Sequence, residues 1–100
     1  MNFKRTVYIL GAMHYGLDTP QQIADHSGLE LVAIDRSIRD HSKKFGITFE
    51  KDAGTKLRAT YRYRVTDWGA LNPDWVRENM DRIAVELNLP KMGDRKWMFN

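Results

Sequence analysis

Arg36, Arg39 and Lys43 follow one another at intervals of three and four residues. In a helical segment they share one stripe and can reach consecutive phosphates of a nucleic-acid backbone. A second set of cations, Lys51, Lys56, Arg58, Arg62 and Arg64, falls within residues 47–66 against Glu50 and Asp52, a net charge of +3. Residues 67–88 reverse the sign, with Arg77 and Arg82 set against Asp67, Asp74, Glu78, Asp81 and Glu86, a net charge of −3. This asymmetry suits a chain that turns one face to a polyanion and another away from it. The whole-chain charge of +3 permits such a partner without requiring one. The same side chains have a second reading. Asp35 with Arg39, Arg36 with Asp40 and Asp40 with Lys44 are i, i+4 pairs, which stabilise an exposed helix by about 0.2–0.5 kcal/mol each.

The residues that carry catalysis and metal chemistry are sparse. His14, His26 and His41 lack metal-ligand spacing and have no carboxylate at a regular offset, and the chain has no cysteine. Asp18, Asp25 and Ser27 sit where turns and helix caps need them. The sequence therefore predicts neither an enzyme nor a cofactor or metal site. The lack of cysteine points to a reducing compartment, and a cytoplasmic location is the expectation. No apolar run is long enough to cross a bilayer, and residues 1–16 have too short an apolar centre for a signal peptide, so they read as a core helix. A chain of 100 residues with 42% hydrophobic content suits one small domain, for which contact with a second chain would help.

The elements that position the cations follow from periodicity. Residues 3–15 set Phe3, Val7, Leu10 and Tyr15, with Ile9 and Met13, around a first helix that stops at Gly16. Thr19, Pro20 and Gln22 form a capping box that starts a second helix at Pro20; it carries Ile23 and Ala24 inward and ends near His26, with Ser27 and Gly28 as the turn. Leu29 anchors that turn. Ile34, Ile38, His41 and Phe45, spaced by four, three and four, predict a third helix of about four turns closed by Gly46. ITFEK and KLRATYRYRVT then read as two strands joined by DAGT, where Gly54 would supply a positive φ. In the second run Leu57, Ala59, Tyr61, Tyr63 and Val65 would face the core, so the two tyrosines read as packing residues rather than a base-stacking platform. Lys56, Arg58, Thr60, Arg62 and Arg64 would form an outer basic face, four cations with no anion among them. Residues 66–71 make a single turn, and Asn72 and Pro73 open a last helix that runs to about Asn88.

The order of helices, the Gly28-Leu29 turn, the Phe45-Gly46-Ile47 helix end and the Gly-tipped hairpin resemble the winged helix-turn-helix superfamily of small bacterial and phage transcription regulators. The resemblance covers residues 3–66. It rests on Pro20, Gln22, Ile23, Ala24, Gly28, Leu29, Ile34, Arg36, Ile38, Gly46 and Ile47, which are similar to the pattern IA…GL…V.R.I…GI. It implies an α+β fold of three helices and a two-stranded wing, here with an added C-terminal helix: residues 1–71 as the winged domain, and residues 72–100 packing on it or on a dimer partner. It implies a sequence-specific, double-stranded DNA-binding transcription regulator whose recognition helix, about residues 31–44, enters the major groove. By position the reading surface would comprise Leu31, Val32, Asp35, Arg36, Arg39 and Lys43, with Lys51, Lys56 and Arg58 at the wing. This sequence departs from the pattern in the first turn, where residues 30–33 offer no Ser, Thr, Asn, Gln or Arg to base edges. Leu31 and Val32 could meet thymine methyl groups, or equally a protein.

Two alternatives stay open in the sequence. Val76, Met80, Ile83 and Leu87 repeat at four, three and four, a seam that packs either on the first helix or against the same seam of a second copy in a homodimer. Trp97, Met98 and Phe99 end a tail that either docks or frays. Leu31, Val32 and residues 97–99 would be apolar anchors if the chain were instead a protein-interaction module, such as an adaptor or a phage-type inhibitor of a host protein.

Overall fold

The first helix, α1 (Phe3–His14), is buried all round: every residue in 6–14 is shielded from solvent. A helix apolar on all faces must be enclosed by its neighbours, and α1 is touched by α2 (Pro20–Ser27), by the middle of the third helix, by the second strand and by the last helix. The computed structural model from which these features are taken describes residues 3–54 and 56–98. Thr55 of the expected DAGT loop and Phe99 of the expected aromatic tail lie outside those residues.

The second helix starts as its cap dictates: the Gln22 backbone N–H donates to Thr19 Oγ1 at 3.1 Å, Pro20 occupies the first turn, and Gly28 closes the helix in the left-handed region. The third helix departs from the expected regular four turns. An α-helical segment, α3 (Leu31–Arg36), continues as a π turn over Ser37–His41 and a 3-10 turn over Ser42–Phe45, before Gly46 ends it with φ 72°. In the π turn the Ser42 N–H donates to Ser37 O, five residues back. The extra residue changes which side chains face inward. Ile34, Ser37, Ile38 and Ser42 are buried, whereas His41 and Phe45 are only half-buried. The π turn contacts α1 with Ser37 buried, and Ser42 is buried with its Oγ donating to Ile38 O.

Two antiparallel strands follow, β1 (Thr48–Asp52) and β2 (Arg62–Asp67), with Phe49 opposite Val65, Glu50 opposite Arg64, Lys51 opposite Tyr63 and Asp52 opposite Arg62. The second strand is therefore shorter than its sequence alternation suggests. Residues 56–61 leave the sheet, and Arg58–Thr60 forms a 3-10 turn in which Thr60 Oγ1 donates to Leu57 O at 2.7 Å. Leu57, expected in the core, is 68% exposed. Gly54 does not take a positive φ; its N–H donates to Asp52 Oδ1 instead. Tyr63 and Val65 do face the core, as expected. The outer face of β2 is not an anion-free array, because β1 sets Glu50 against Arg64 as an ion pair and Asp52 opposite Arg62.

After β2, Gly69 passes so close to the end of the third helix that a Cβ on it would lie 2.0 Å from Phe45 O. Only glycine fits there, and Ala70 N–H donates to the same carbonyl at 2.8 Å. The last helix, α4 (Pro73–Leu87), is capped by Asn72, whose side chain accepts from Asp74 N–H and Trp75 N–H. Its stripe of Val76, Met80 and Ile83 is buried in the same cluster as Val7, Leu10 and Ile34, with Leu87 half-buried beside it. These four side chains pack on α1 within one chain, so they do not form the exposed dimer seam that their spacing allowed.

Candidate nucleic-acid interface

The turn between α2 and α3 is held by local bonds. Ser27 Oγ donates to Ile23 O at 2.6 Å and accepts from Leu29 N–H at 3.1 Å, which fixes where α3 begins. Along the outer side of α3, Leu31 is 37% exposed and Val32 65%, and Arg36 and Arg39 are also exposed. The 3-10 turn of the wing folds back to meet this helix and packs on α2. It brings Arg58 Nη1 to 3.7 Å from Asp35 Oδ2, and Arg39 Nη2 lies 2.7 Å from the same oxygen. One half-buried carboxylate thus orients two guanidinium groups from different elements.

Two depressions flank this triad. A cleft of about 220 Å³ is bounded by Pro20, Leu31, Val32, Asp35, Arg58 and Ala59, and its walls are mostly apolar. A larger trough of about 540 Å³ runs between the second half of the third helix and the sheet. Its rim carries Arg39, Lys43, Lys51 and Arg58, with Asp40 the acidic residue among them, and Phe49 and Tyr63 contribute to its lining. Phe49 and Tyr63 meet edge to face at 6.1 Å between ring centres, and Lys51 Nζ sits 5.3 Å from the Tyr61 ring. Burial first, then the Asp35 charge, pushes the Tyr63 phenol above its ordinary value, so it remains a neutral hydroxyl at physiological pH.

Of the nine residues singled out from the sequence, Leu31, Val32 and Asp35 line the cleft, Arg39, Lys43 and Lys51 line the trough, and Arg58 lines both. Arg36 and Lys56 are exposed but border neither. The expected Asp35–Arg39 pair is present. The expected Arg36–Asp40 and Asp40–Lys44 pairs do not form among the described residues. Arg36, Lys43 and Lys44 have no ion-pair partner among the described residues. A trough with four cations can hold a run of phosphates, each neutralised contact releasing counterions. Among the described residues no cluster of three or more His, Cys, Asp or Glu side chains could hold a metal, and no helix is long and apolar enough to cross a membrane.

His14 has a structural role that its sequence spacing from the other histidines did not reveal. It is buried at the end of α1, where Nδ1–H donates to Met98 O at 2.8 Å and Nε2 accepts from Val65 N–H at 3.1 Å. The carbonyl and the amide together fix the tautomer. Burial holds its pKa below the usual histidine value; the bond to Met98 opposes that shift, and the Arg64 charge adds to it. The ring packs against Trp68 and Trp97 at 5.1 and 5.4 Å between centres. The tail therefore docks through Trp97, while Met98 stays largely exposed. The available signal was positional: Val7, Leu10 and His14 fall on one helical stripe, which places the imidazole in the core.

A family model described as winged helix-turn helix matches residues 1–87. Among solved structures, a DUF2131 family protein from Shewanella amazonensis SB2B is similar, with a TM-score of 0.73 and 19% sequence identity, over 88% of this chain and 84% of that one. At that identity the likeness shows the fold. No curated protein matches the chain significantly.

Proposed function

The chain belongs to the winged helix-turn-helix family, and we propose that it is a sequence-specific regulator of transcription that binds double-stranded DNA through the third helix and the wing. The observation that carries this reading is the convergence of Arg39, Lys43, Lys51 and Arg58, from three separate segments, on one trough beside the exposed first turn of α3. A B-DNA major groove about 12 Å wide admits one helix. With residues 31–44 in that groove, Arg39 and Lys43 lie along one phosphate backbone, and Lys51 and Arg58 reach it from the wing. Arg36, on the inserted helix, and Lys56, on the wing, lie outside the trough and add further contacts to the same duplex.

Salt titration of duplex binding tests this. Four phosphate contacts give an expected loss of about a hundredfold in affinity between roughly 50 and 200 mM salt. The double variant Arg39→Ala, Lys43→Ala should bind more weakly and with a shallower salt slope; absent or salt-independent binding overturns the reading. The exposed Leu31 and Val32 beside an apolar cleft favour a second reading, a protein-interaction module. A stoichiometric protein partner that survives both nuclease treatment and the double substitution would support it instead.

A further inference from the structure

The first turn of α3 presents a surface with unusual chemistry for a polyanion partner. Leu31 and Val32 are exposed and offer neither donor nor acceptor. The nearest polar side chain on the same face, Asp35, has one carboxylate oxygen engaged by both Arg39 and Arg58. Within residues 31–33 no side chain can read a base edge by a hydrogen bond; Arg36, exposed one turn further along, is the nearest free donor. The apolar surface nevertheless continues across the cleft onto Pro20 and Ala59, and Arg58 borders both this cleft and the cationic trough. An occupant must therefore be apolar where it meets Leu31 and Val32, yet anionic a short distance away where it meets Arg39, Lys43, Lys51 and Arg58. A duplex that exposes thymine in its major groove satisfies both demands. The C5-methyl is the apolar group that the standard base pairs present in that groove, and the backbone phosphates flank it.

We propose that Leu31 and Val32 select thymine through its C5-methyl group, which packs into the cleft closed by Pro20 and Ala59. This rests on the duplex-DNA reading above. It makes the specificity apolar: a T·A pair is favoured over a C·G pair by loss of exposed hydrocarbon rather than by a hydrogen-bond code. Asp35 acts as a positioning residue that holds Arg58 at the cleft edge.

The test begins with duplexes recovered by the full chain from a random pool, followed by synthesis of the recovered site with each thymine replaced in turn by uracil, which keeps pairing and removes only the methyl. Affinity should fall about fourfold for each methyl that meets Leu31 or Val32, and about fifteenfold for two. Val32 is 65% exposed, so Val32→Ser reports on contact rather than folding, and Leu31→Ser, at a position 37% exposed, is compared once circular dichroism shows it folded; in both the uracil penalty at the matching position should vanish. Salt-dependent binding that is indifferent to uracil overturns thymine selection and leaves the duplex reading standing. A uracil penalty that persists in both serine variants also overturns it, because the methyl then acts through DNA shape. Failure to bind any duplex at low salt overturns both.

Discussion

At the scale of single residues, His14 joins the tail to the sheet only while neutral. Its Nε2 accepts from Val65 N–H, and a proton there would set two donors against each other in a buried site. The folded pKa lies below the ordinary value of 6.5. The stabilisation is therefore complete above about pH 6.5 and is lost as pH falls through the depressed folded value, at up to about 1.4 kcal/mol per pH unit. His14→Gln keeps a donor for Met98 O and an acceptor for Val65 N–H but does not titrate. Denaturant unfolding of both proteins across pH 4–7, a range chosen to bracket roughly the histidine titration, should show the difference between them narrowing, and then reversing, toward acid; parallel curves would contradict this role. The sequence carried part of this. Spacing gave His14 no metal-ligand pattern, and its place four residues beyond Leu10 on the buried stripe went unread. Its partners could not be read, because Val65 and Met98 are separated from it by 51 and 84 residues.

Elements with a strong local code were legible, and those shaped by distant contacts were not. Thr19 and Asn72 cap the helices they were expected to cap, since an N-cap is decided within four residues. The third helix carries a regular apolar spacing, yet it winds as α, π and 3-10 in succession, which buries Ser37 and Ser42 where His41 and Phe45 were expected. Residues 56–61 alternate like a strand, but Thr60 bonds back to Leu57 and the turn packs on α2. The opposing acids on β1 were likewise hidden, as one strand's alternation says nothing about register. The α1–α4 contact has a sharper consequence. A Cβ on Gly11 would lie 2.2 Å from Met80 Sδ, and Met80 is 2% exposed. Gly11→Ala should gain about 1 kcal/mol of helix propensity but meet an overpacking cost of about 1–3 kcal/mol, for a net loss. Met80→Ala alone should cost about 3 kcal/mol. In that background Gly11→Ala should become stabilising, because the methyl enters vacated space. Chemical denaturation of the four proteins completes the cycle, and the same sign for Gly11→Ala in both backgrounds would refute the contact.

Across the whole molecule, α4 and the tail complete the enclosure of α1. Met80, Ile83 and Met92 belong to the same buried cluster as Tyr8 and Val65. Tyr8 OH donates to Pro90 O at 2.7 Å and the His26 ring bonds Lys91 O at 3.0 Å, so the segment after α4 is fastened before it reaches Trp97. Trp97 then stacks on Trp68 at 5.9 Å and meets the Tyr15 ring edge at 5.1 Å. None of these residues borders the cleft or the cationic trough, which separates support of the fold from contact with DNA. Trp97→Ala should therefore cost about 2 kcal/mol, below the range for a fully buried tryptophan because the side chain is only half-buried. In a chain of 100 residues that lowers Tm by about 10 °C. Duplex affinity measured well below the reduced Tm should stay within about twofold, less than the tenfold that 1.4 kcal/mol would give. A Tm unchanged by the substitution would remove the tail from the stabilising core, whereas a large loss of affinity in the folded variant would join the tail to the DNA-binding surface.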